Sequence, residues 1–90
     1  MRRIRWSTDA SDQFADSIQR AGQDSPVAAR KVAQEVIDRI ELLATFPALG
    51  RSGEVRGTRE LVSPPYVVVY RVRAEVVEIL NIWHGAQDWR

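Results

Sequence analysis

Three side chains in the C-terminal half could between them cut a phosphodiester. His84, the only histidine, could pass a proton, and Arg51 and Arg59 could hold charge over a phosphate. RNA cleavage through its own 2′-hydroxyl needs a base, an acid and positive charge on the phosphate; His84 could fill one of the proton-transfer roles and the arginines the charge. The same residues also suit contact with a protein. Arginine recognises carboxylates and phosphates two-pronged, and with tryptophan it is enriched at binding hot spots. On that reading Arg51, Arg59, Arg71, Arg73, Trp83, His84 and Trp89 are the candidates for partner binding. A metal centre is not expected with one histidine and no cysteine, and no motif calls for a cofactor.

Stepping outward, the charge balance narrows the partners. The 90 residues carry 13 basic and 12 acidic side chains, a net charge of +1. That removes the domain-wide positive excess of a general nucleic-acid binder, and direct sequence-specific DNA binding by this chain alone is not expected. Within residues 51–73, however, Arg51, Arg56, Arg59, Arg71 and Arg73 face only Glu54 and Glu60, a local excess that suits an acidic protein partner. Hydrophobic residues make up 44% and charged residues 28% of the chain, as in a globular domain, and the length suits one domain over 1–90. There is no apolar run long enough for a membrane span, no secretory pattern and no cysteine, so a cytoplasmic location is expected.

The elements that must position these side chains follow from periodicity. Ile4-Arg5-Trp6 alternates as a short strand, and Ser7 or Thr8 caps a helix whose Ala10, Phe14, Ile18 and Ala21 share a face up to Gly22. Ser25-Pro26 restarts a helix as cap and first position. Its stripe, Ala29, Val32, Ala33, Val36, Ile37, Ile40, Leu43 and Ala44, ends before Pro47 and Gly50. From Gly57 the period is two, which gives strands at Thr58–Val62, Tyr66–Arg73 and Val76–Trp83. The expected fold is α+β in the order β-α-α-β-β-β. An antiparallel helical hairpin covers one face of an antiparallel sheet of about four strands and leaves the other face open to a partner.

The chain resembles the RelE/ParE superfamily of bacterial type II toxin–antitoxin toxins over nearly its whole length. The carriers are the capped helix with Ala10 and Phe14, the Pro26–Leu43 helix, Phe46-Pro47-Ala48-Leu49-Gly50-Arg51, Gly57-Thr58-Arg59-Glu60-Leu61, Tyr66-Val67-Val68-Val69-Tyr70-Arg71-Val72, and Ile79-Leu80-Asn81-Ile82-Trp83-His84-Gly85. No one of these segments is specific; their order and spacing together are. The resemblance implies a cognate antitoxin and one of two targets. RelE-like members cleave messenger RNA on the ribosome, whereas ParE-like members poison DNA gyrase by binding. Thr58, Glu60 and Val67 stand where the ribonucleases are basic, Gly85 replaces a later arginine, and Trp89 stands near their tyrosine. The pattern is therefore closer to the ParE-like branch, with no catalytic residue expected. Two alternatives stay open: a ribosome-dependent endoribonuclease using His84, Arg59 and Arg51, and an inactive module that only binds antitoxin.

Overall fold

The computed structural model describes residues 1–85, so Trp89 lies outside the described residues. Strand β1 (Arg3–Trp6) leads into α1 (Thr8–Asp24) and α2 (Pro26–Leu42). A short β2 (Arg51–Ser52) then precedes β3 (Arg59–Ser63), β4 (Tyr66–Val72) and β5 (Val76–His84). Ser7 caps α1 by accepting from the Ala10 N–H at 3.0 Å. Helix α1 continues past Gly22 to Asp24. Ser25 then closes α1 through its own N–H to the Ala21 carbonyl and opens α2 by accepting from the Ala28 N–H. One serine serves both helices, and Pro26 follows at the first helical position.

The α+β class and the helical hairpin stand as expected, while the sheet has one strand more and a mixed order. Its five strands run β1-β5-β4-β3-β2. Strand β1 pairs parallel with β5, and the other pairs are antiparallel. The parallel pair arises because two helices intervene between β1 and the meander, which gives the chain the crossover length that parallel strands need. Strand β2, only two residues long, carries no periodicity that a sequence reading could detect. The β4–β5 turn at Ala74-Glu75 closes without glycine, by a bond from the Arg73 N–H to the Val76 carbonyl. Arg2 and Arg3 brace it, donating to the Arg73 and Glu75 carbonyls.

Both helices bury their apolar stripes on one face of the sheet. Val36, Ile40 and Leu43 from the α2 segment and Ala10 and Phe14 from α1 meet Leu61, Tyr66, Val68, Tyr70, Val77, Ile79 and Ile82 in one core cluster. Each large aliphatic side chain removed from water in this way contributes about 1.5–3 kcal/mol. Trp6 joins the cluster's margin, its ring tilted against Phe14 at 5.6 Å, so this tryptophan packs with the core rather than lining the open face. None of the described helices is long and apolar enough to cross a membrane.

Candidate partner-binding face

Strand alternation decides which candidates look toward the helices and which look outward. In β4, Tyr66, Val68 and Tyr70 point to the helices, so Val67, Val69 and Arg71 belong to the other face. In β5 the alternation is interrupted: Val69 lies opposite Asn81 but Tyr70 lies opposite Ile79, which leaves Leu80 unmatched in a β-bulge. Ile79 and Ile82, three apart, therefore both enter the core, and Asn81 and Trp83 turn to the open face. Gln13 of α1 seals the β5 edge there, accepting from the Ile82 N–H at 2.9 Å and donating to Asn81 Oδ1 at 3.1 Å.

Two of the candidates lie on the covered side. Arg59 is opposite Tyr70 and donates through Nη1 to the Gly50 carbonyl at 2.7 Å. The Gly50 N–H in turn donates to Tyr70 Oη at 2.9 Å, and that hydroxyl donates to the Pro47 carbonyl at 2.7 Å. The Phe46–Arg51 motif is thereby pinned to the sheet. A Cβ at Gly50 would meet the Glu60 carbonyl at 2.7 Å and the Tyr70 ring and hydroxyl at 2.8 Å, which explains the glycine. Burial raises the Tyr70 pKa, opposed by the Gly50 hydrogen bond and by the Arg59 charge. His84 lies opposite Tyr66, and their rings meet edge to face at 5.4 Å. Tyr66 Oη shares a 2.7 Å hydrogen bond with Ser17 Oγ, and Ser17, Arg20, Ala21, Asp24 and His84 border a shallow hollow beside α1.

The other candidates collect on the open face in two unlike groups. At one end Glu78 receives Arg5 on Oε2 and Arg73 on Oε1 at 3.2 Å, and Arg71 lies opposite it in β4. The hydrogen bonds from Arg5 and then Arg73 hold the Glu78 pKa below the usual carboxylate value. At the other end Arg51 bonds Glu60 Oε1 at 3.0 Å through both Nε and Nη2. Glu60, with Glu54, Val55, Thr58, Val69, Asn81 and Trp83, lines a concavity of about 330 Å³. Beyond the outer edge of β3, a second hollow of about 500 Å³ is bordered by Leu42, Leu49 and Val62 with Arg39 and Arg51 at its rim.

Arg51, Arg59 and His84 are thus not brought together. Arg51 pairs with Glu60 on the open face, whereas Arg59 and His84 are on the covered side. There they lie opposite residues four apart in β4, about 13 Å along the strand. Glu60 and Asn81, which line the open-face concavity, are not among the sequence candidates. Glu60 was legible from its alternation with Leu61, but Asn81 was not, because its direction depends on the bulge.

Known proteins agree with this architecture. Residues 4–89 match the family model described as the ParE toxin of the type II toxin–antitoxin system parDE. The Y4kP protein of Sinorhizobium fredii, named as a toxin, is 37% identical over 90 residues, covering 98% of this chain and 93% of that protein. Toxin RelE2 of Caulobacter vibrioides is 31% identical over 87 residues, covering 97% and 99%. Among solved structures, the chromosomal ParDE system of P. aeruginosa superposes with a TM-score of 0.81 at 24% identity, covering 93% of this chain and 96% of that one. The E. coli DinJ–YafQ complex shares the fold at a TM-score of 0.60 and 14% identity over the full length of both chains. By its family match and these relatives, the chain belongs to the ParE toxin family of type II toxin–antitoxin systems.

Proposed function

We propose that this toxin arrests growth by binding DNA gyrase in the cytoplasm, and that a cognate antitoxin neutralises it. The observation that carries this reading is the dispersal of Arg51, Arg59 and His84. A ribonuclease needs its acid, base and phosphate-binding charge within hydrogen-bond reach of one phosphodiester. Here Arg59 is committed to the Gly50 carbonyl and His84 packs on Tyr66, away from the arginines of the open face. What the open face offers instead is a binding surface: Arg5, Arg71 and Arg73 around one carboxylate, and a half-buried tryptophan. Such a surface suits an acidic patch on a protein.

An antitoxin partner is supported by the neighbouring structures, which include a ParDE system and toxin–antitoxin complexes of YafQ with DinJ. The hollow beyond β3 fits such a partner, since Leu42, Leu49 and Val62 are exposed there next to residues 61–63, which β2 does not pair and whose Val62 carbonyl accepts from Arg39. Purified toxin incubated with gyrase on relaxed DNA should block supercoiling, and His84→Ala should leave that inhibition intact. Cleavage of messenger RNA on translating ribosomes, abolished by His84→Ala, would overturn the reading. Folded, soluble toxin whose induced expression does not slow growth would favour a module that only binds antitoxin.

A further inference from the structure

The concavity at the Trp83 end of the open face has a different character from the arginine cluster at the other end. Its polar lining is acidic or neutral: Glu54, Glu60, Thr58 and Asn81, beside Trp83 and Val69. Glu60 is unusual among them, because its side chain is only 9% exposed. Buried carboxylates are costly unless their oxygens are paired. Arg51 bonds Oε1 from the exposed rim, and Oε2, with no hydrogen bond from the described residues, is open to solvent in the concavity. A carboxylate with one oxygen open to the concavity beside an aromatic side chain is an arrangement that receives a planar cation, which can both bond that oxygen and lie on the indole. Glu54 at the mouth is exposed and adds a second negative charge.

We propose that this concavity receives an arginine side chain carried by a partner polypeptide. Its guanidinium bonds Glu60 Oε2 and the Asn81 amide oxygen side of the wall while resting against Trp83. The volume is at the small end of the range for ligand pockets, which suits one side chain rather than a larger ligand. The open face is then read in two parts by any segment crossing it: carboxylates at Arg71 and Arg73, and one arginine at Glu60. Arg51 is a competitor within the chain, since it already draws on the same carboxylate. This inference concerns a binding site and holds whether the toxin acts on gyrase or not.

The test is a titration of the full chain with Nα-acetyl-arginine amide, followed by nuclear magnetic resonance. Saturable shifts are expected at the Trp83 indole N–H and at the Val69 and Asn81 amides, with little change near Arg71 and Arg73. The neutral isostere, Nα-acetyl-citrulline amide, should bind at least roughly fivefold more weakly. Glu54→Gln and Trp83→Leu should each weaken the arginine probe, while Arg51→Gln should strengthen it by removing the competing cation. The variants' remaining spectra report whether each is folded. Equal binding of the citrulline probe, shifts confined to the arginine end, or tighter binding of guanosine than of the arginine probe would overturn the proposal. So would an Arg51→Gln chain that stays folded and binds the probe more weakly.

Discussion

The two faces of the sheet satisfy their polar groups by opposite means. On the covered face Tyr70, Tyr66 and Arg59 each make a short bond to another part of the chain: Tyr70 joins β4 to the loop at Pro47 and Gly50, Tyr66 reaches Ser17 on α1, and Arg59 holds Gly50. On the open face the pairs to Glu78 are surface ion pairs whose arginines, Arg5 and Arg73, remain more than half exposed. Buried hydrogen bonds leave a full desolvation cost when one partner is removed, whereas exposed ion pairs are worth little net. Side chains of the same type therefore do different jobs according to strand parity. Arg59 is part of the scaffold, and Arg71 is available to a partner.

The comparison predicts a graded series of effects on stability, largest on the covered face. Ile79→Ala should be the most severe, because a fully buried side chain is removed from the middle of the core. A loss of about 2–5 kcal/mol in urea unfolding is expected. Gly50→Ala comes next, at about 1–3 kcal/mol, since the new methyl must displace either the β3 backbone or Tyr70. If Gly50→Ala unfolded at the same urea concentration as the parent chain, the loop would not be pinned as described. Tyr70→Phe strips an acceptor from the Gly50 N–H and a donor from the Pro47 carbonyl and should cost about 1–3 kcal/mol. It should also remove an alkaline limb. Burial raises the Tyr70 pKa in the folded chain, so its stabilising contribution is full below about pH 10 and is lost as pH rises through the folded value.

The order of elements was legible because each helix carries its own stop and start signals. The Ser25-Pro26 cap and the stripe from Ala29 to Leu43 state a second helix without reference to anything distant. Parity was legible in β3, where Arg59, Leu61 and Ser63 alternate with Glu60 and Val62, and would have placed Arg59 with the core. Other features were not, for a common reason: they depend on contacts far apart in sequence. Two residues of β2 exist as a strand only because Glu60 and Arg59 lie opposite. The bulge at Leu80 reverses the direction of every β5 residue beyond it, so Trp83 faces outward and His84 lies over Tyr66. Strict period two from Val77 would have predicted the reverse.

Open-face substitutions should divide stability from function. Arg71→Glu places a like charge opposite Glu78 but removes no ion pair or hydrogen bond among the described residues. Its unfolding free energy should stay within about 0.5 kcal/mol of the parent, apart from the added repulsion. Growth arrest on induction should nonetheless weaken, because the charge offered to an acidic partner is inverted. Undiminished growth arrest from a folded Arg71→Glu chain would place the contact with the proposed target elsewhere.

The smallest effect should come from Glu78, and its pH dependence mirrors that of Tyr70. Bonds from Arg5 and Arg73 lower the folded-state pKa of a carboxylate that is partly exposed to solvent. A lowered pKa means that the stabilising contribution is present above the unfolded value, near 4.5, and is lost as pH falls through the folded value. Glu78→Gln should therefore unfold slightly earlier in urea than the parent at pH 7, with a gap that closes on acidification to about pH 3. Because both arginines are more than half exposed, salt should close the same gap at neutral pH. The cost of Tyr70→Phe should not change with salt, since neutral buried hydrogen bonds carry no net charge to screen. A Glu78 gap that survives both acid and salt would mean that the open face is held by packing, as the covered face is, and the contrast between the two would fail.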